Sequence, residues 1–103
     1  MISDRIKRMI SRIREFMDSH PIKRAWLFGS CSRGEESPDS DIDILVDYDN
    51  SYGRVSLFQM GGMLMDLTDL LGCKVDLVEN RGLKDFARKS VDRDKILIYE
   101  RGN

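Results

Sequence analysis

The sequence predicts a small domain of the α/β or α+β class, and three observations carry that expectation. Segments with helical periodicity alternate along the chain with short runs of bulky, strand-forming residues. Each of these runs is bounded by turn chemistry, as at Gly29-Ser30, Ser37-Pro38-Asp39-Ser40 and Gly72. The whole chain has 103 residues, enough for one core and too few for two, so residues 1–103 are expected to form a single domain.

Residues 3–19 read as an amphipathic helix, because Ile2, Ile6, Met9, Ile10, Ile13, Phe16 and Met17 recur at three- and four-residue steps. Ser3 is placed to cap it and Pro21 to stop it, with His20 as a capping or linking residue. Ile22 to Phe28 is a strand closed by Gly29. Ser30 to Gly34 has room only for a short helix or turn. Asp41 to Asp47 is a second strand in which Ile42, Ile44 and Val46 share one face. Asp41, Asp43 and Asp47 share the other face with Leu45, a pattern suited to a sheet with one open side.

A second helix is expected over Val55 to Leu71, ended by Gly72. Gln59, Gly62, Asp66 and Asp69 form a narrow polar stripe on it, and Met60, Met63 and Met65 widen the apolar arc. Methionine fills irregular cores by default; a partner surface is the alternative. Gly61-Gly62 should cost roughly 1 kcal/mol per glycine, so a close approach to another element or to a partner is expected there. Cys73 to Val78 is a third strand with Asp76 out of phase with Val75 and Leu77. Leu83 to Val91 is a last short helix, and Ile96 to Tyr99 a short terminal strand.

Composition excludes several classes. No apolar run approaches the roughly 20 residues of a membrane span, and the charged N-terminus has no apolar leader region. Two cysteines, Cys31 and Cys73, make no disulfide framework, so a reducing, cytoplasmic setting is expected. A net charge of −1 argues against a nucleic-acid binder working by bulk attraction. The charge is nevertheless segregated. Between Glu35 and Asp49 every charged residue is acidic. A solvated loop accounts for Glu35, Glu36 and Asp39, whereas a metal is the better account of Asp41 and Asp43.

Those two aspartates, at i and i+2 on a strand, have Cα atoms about 6.5–7 Å apart, and their carboxylates can converge on cations. Magnesium suits an all-oxygen donor set, and Asp76 is the natural third carboxylate. Gly29 lets backbone approach phosphate, Ser30 adds a hydroxyl and an N–H, and Arg33 could pair with a phosphate oxygen or simply lie exposed beside the acidic loop. Cys31 reads as a small space-filler, with a reactive thiol as the alternative. No Walker A pattern, GxGxxG or nucleophile elbow competes with this constellation.

Gly29-Ser30 followed by ten residues and Asp41-x-Asp43 resembles the signature of the DNA polymerase β-type nucleotidyltransferase superfamily. The resemblance runs on through Cys73-Lys74-Val75-Asp76 and covers essentially Ile22 to Glu100, and the small size is similar to minimal nucleotidyltransferase (MNT) domains, the antitoxins of HEPN/MNT pairs. It implies a small mixed β-sheet of three to four strands with helices packed on it. It also implies active-site roles for Gly29, Ser30, Asp41, Asp43 and Asp76, ATP as substrate, two Mg²⁺ ions, and AMP transfer to a tyrosine hydroxyl of a HEPN RNase toxin. The alternatives are an antitoxin that neutralises by docking alone and a small-molecule nucleotidyltransferase of aminoglycoside type. The acceptor site is expected from a partner or a second copy.

Overall fold

The computed structural model describes residues 2–35, 41–51 and 53–102, so the expected loop at Ser37 to Ser40, with Glu36 and Asp39, lies outside the described residues. Helix α1 spans Asp4–Asp18 with Ser3 as its N-cap, the serine hydroxyl accepting from the Ile6 amide at 3.2 Å. It buries Ile6, Ile10, Ile13 and Met17, the stripe that its periodicity foretold. The chain then turns through Pro21 into β1, Ile22–Phe28. His20 stacks on Phe16 and holds its carbonyl oxygen from Nδ1 at 2.6 Å, a capping role.

The last carbonyls of α1 receive a cap from far along the chain. Arg101 donates to Met17 O at 2.8 Å, His20 O at 2.6 Å and, from β1, Ile22 O at 3.0 Å. A guanidinium suits this, having five donors in a fixed fork and bringing positive charge to a helix C-terminus. Replacing Arg101 by alanine is expected to lower stability by about 2 kcal/mol, with lysine recovering only part, as read from urea unfolding.

After the short helix α2, Ser30–Arg33, the chain returns in β2, Ile42–Tyr48, antiparallel to β1. Helix α3, Leu57–Leu71, carries it back over the sheet so that β3, Val75–Glu79, can pair with β2 in parallel. A 3-10 turn at Asn80–Gly82, helix α4 (Asp85–Asp94) and β4 (Ile96–Glu100) complete the order β3-β2-β1-β4 in one mixed sheet of four strands. Helix α3 starts two residues later than its apolar pattern suggests, because Ser56 and Gln59 form a capping box and leave buried Val55 ahead of the helix. Its end at Gly72, φ 68°, is as expected. Helix α4 runs on past Val91 through a polar turn that apolar periodicity does not register, supported by Asp92 pairing with Arg88 and Lys95.

The core fills one sheet face. Ile42, Ile44 and Val46 of β2 meet Ala25 and Leu27 of β1, the buried stripe of α1, and Met63, Leu67 and Leu71 of α3. The opposite face is less open than its alternation suggests. Leu45 is fully buried there although it alternates with Asp43 and Asp47, and Val91 of α4 is buried outside the main core as well. Asn80 donates to Asp47 at 3.1 Å and itself accepts from Arg88 at 3.1 Å, while Lys95 lies 5.1 Å over the Trp26 ring. These ties bring α4 to the second face, on which Asp76 stays exposed and Asp43 half-buried. The expected close approach of another element to Gly61-Gly62 is not found: a Cβ added at either would meet nothing within 4 Å. No helix among the described residues is long and apolar enough to cross a membrane.

Candidate active site

The site forms where three neighbouring strands bring their ends together. Phe28, the last residue of β1, pairs with Asp43, and Asp43 pairs in turn with Asp76 of the parallel β3. Residues in register on adjacent strands point to the same face. Asp43 and Asp76 therefore stand side by side on the face opposite the core. Asp41 lies two residues before Asp43, just ahead of the strand.

Gly29 lies directly against this acid group. It has φ 74° and ψ −157°, backbone open in practice to glycine, and a Cβ built on it would collide with Asp43 Oδ2. The turn and the carboxylate are thus in contact before any ligand arrives. Ser30 begins α2 half-buried, while Cys31 and Ser32 behind it are buried.

These two buried residues set the geometry. Ser32 Oγ donates to Gly29 O at 2.8 Å and fixes the turn. The Cys31 thiol donates to Asp41 O at 3.3 Å, tying α2 to the approach of β2. Cys31 is fully buried, which supports the space-filling reading over the reactive one. Ser32 went unnoticed in the sequence; its only signal was a small hydroxyl residue one turn after the glycine. Arg33 is engaged elsewhere, donating to Glu35 at 2.8 Å and to Asp94 of α4 at 2.7 Å.

The electrostatics are those of crowded acids. Asp43 is half-buried, and its carboxyl is held above the usual carboxylate range, first by burial and then by the charges of Asp76 and Asp41. Among the described residues the one ion pair to any of the three acids is Lys74 to Asp41, at 3.8 Å. No group of three or more His, Cys, Asp or Glu side chains among the described residues is gathered closely enough to cage a metal unaided. Magnesium is commonly held by one or two carboxylates with waters and substrate phosphates completing its shell, so an open set of oxygen donors with only the exposed Lys74 beside it fits it.

A mixed sheet that sets a glycine-serine turn against strand carboxylates defines a nucleotidyl-transfer fold. Residues 11–103 match the Polymerase beta nucleotidyltransferase family, and the chain belongs to it. It is 33% identical over 85 residues to the protein adenylyltransferase MntA of Thermococcus cleftensis, covering 82% of this chain and 83% of that one. Among solved structures it is similar to a provisionally named minimal nucleotidyltransferase, at a TM-score of 0.76 and 31% identity over 93% of this chain and 95% of the other. A complex of a tri-AMPylated HEPN toxin from Shewanella oneidensis with an MNT antitoxin shares the fold, at a TM-score of 0.69 and 22% identity over 92% and 72%. The expected class and fold stand, with four strands where three or four were expected.

Proposed function

We propose that the protein transfers AMP from ATP to a hydroxyl, that of a tyrosine, on a HEPN-type toxin and thereby acts as its antitoxin in the cytoplasm. The observation that carries this reading is the registered pair Asp43 and Asp76 with Gly29 against Asp43. A protein that only docked would gain nothing from holding a half-buried carboxyl beside two further acids. The name of the MntA relative and the AMPylated HEPN complex support the acceptor class.

Each residue has a role in this reading. Gly29 lets the backbone lie close to the triphosphate, and Ser30 presents its amide and hydroxyl to it. Asp41, Asp43 and Asp76 hold magnesium, which when bound neutralises phosphate charge and favours the ionised acceptor oxygen. Asp76, the exposed member, takes the proton of the acceptor hydroxyl as its oxygen bonds to the α-phosphorus and the bond to pyrophosphate breaks. Arg33 reaches a phosphate oxygen once it exchanges Asp94 or Glu35 for it.

The test incubates the protein with Mg-ATP and the product of the neighbouring reading frame, and weighs that partner. The expected result is an AMP-sized increment that disappears with Asp41→Asn or Asp76→Asn and that needs more ATP with Arg33→Ala. Full neutralisation of the partner by an Asp41→Asn/Asp43→Asn protein, with no increment from the wild type, would sink the reading and leave docking alone.

A further inference from the structure

Arg33 carries two carboxylates on one guanidinium, and the two are held very differently. Its Nε donates to Glu35 at 2.8 Å, two residues on and just past Gly34. Its Nη1 donates to Asp94 at 2.7 Å, 61 positions away at the end of α4. The side chain of Glu35 is 60% exposed and that of Asp94 only 11%. A pair held in water is screened and weak, whereas one shielded from water keeps more of its strength. Glu35 is therefore the partner that gives way, and Asp94 the one that stays.

The fold puts Asp94 there. Ile96 of β4 pairs antiparallel with Leu27 of β1, so the residue two before Ile96 arrives beside the turn two after Leu27. Asp94 Oδ1 also accepts from Arg93 at 3.3 Å. The hydrogen bond from Arg33 holds the Asp94 carboxyl below the usual carboxylate range. One carboxylate between two guanidiniums leaves the group cationic, so Asp94 does not turn an incoming phosphate away. Helix α2 has only four residues and ends at Gly34, so its own backbone gives Arg33 little support. A free arginine loses many rotamers when it grips a ligand; one already fixed loses fewer.

We propose, on the nucleotide reading above, that Asp94 is a positioning residue for ATP: it anchors Arg33 through one nitrogen so that the donors released by Glu35 meet the triphosphate. Glu35 is the opposite, a carboxylate that competes with phosphate for the same guanidinium. The two acids on Arg33 thus act with opposite sign.

Calorimetric titration of the full chain with Mg-ATP tests this. Asp94→Asn is expected to weaken binding about tenfold, and Asp94→Glu, which keeps the charge, to stay within about threefold of wild type. Glu35→Gln should bind at least as tightly as wild type. In an Arg33→Ala background Asp94→Asn should change the affinity by less than about twofold, because no guanidinium is left to position. An equal loss in both backgrounds would mean that Asp94 only supports the fold, and overturns the proposal. So does a Glu35→Gln protein that binds more weakly than wild type. A wild type that does not bind Mg-ATP overturns the nucleotide site itself. A wild type that binds, beside an Asp94→Asn protein that binds as well, overturns the role of Asp94 alone.

Discussion

Asp43→Asn is expected to abolish AMP transfer, by about 10³-fold or more, and at the same time to raise the melting temperature at neutral pH by a few degrees. The two effects have one cause. Asp43 is half-buried beside Asp76 and Asp41, so its folded-state pKa lies above its unfolded value. A group shifted upward contributes stability that is fully present below the unfolded pKa and is lost as pH rises through the folded one. At pH 7 the ionised carboxylate is therefore a destabilising element, which the proposed cation site accounts for. An amide of nearly the same shape removes the charge and the penalty, and with them the donor that the proposed cation requires. Melting curves across pH check this: the variant should be the more stable at pH 7, and the gap should close as pH falls below the usual carboxylate range. Mg-ATP should then raise the melting temperature of the wild type far more than that of the variant. A variant less stable than wild type at pH 7 would mean that the fold already compensates the Asp43 charge.

Local rules made most of the elements legible. The α1 stripe, its Ser3 cap and the glycine end of α3 follow from propensities and hydrogen-bond needs within a few residues, and they stand where the sequence suggested. Strand order was not legible, because pairing depends on contacts between residues far apart in the chain. The parallel register of Asp43 with Asp76, and the contact of Gly29 with Asp43, come from that pairing alone. The burial of Leu45 was hidden for the same reason: alternation assigns it a face but does not say that α4 will reach that face. Arg101 and Asp94 act on partners more than sixty positions away in the chain, which no window along the sequence connects. Cys31 and Ser32 were overshadowed by the more telling residues beside them, although their hydrogen bonds hold the turn in place.

Gly29→Ala is the second change with a large expected effect, and its two components can be separated. The first is backbone strain. At φ 74° and ψ −157° a side chain costs about 1–3 kcal/mol. The second is collision: the new Cβ falls on Asp43 Oδ2, so either the turn or the carboxylate must move. Both are parts of the proposed nucleotide site, and the transfer rate should fall about 100-fold, since small misplacements of a reacting group have effects of that order. Gly72→Ala is the control, because Gly72 also has a positive φ, 68°, but open space where its Cβ would lie. It should cost only about 1 kcal/mol of stability and leave transfer intact. The collision itself is measured by repeating Gly29→Ala in an Asp43→Ala background, where no carboxylate remains to be struck. Urea unfolding of the four proteins in this cycle should show the alanine at position 29 costing about 1 kcal/mol less when position 43 is already truncated. Equal costs in both backgrounds would mean that strain alone keeps glycine in the turn, and that Asp43 places no demand on it.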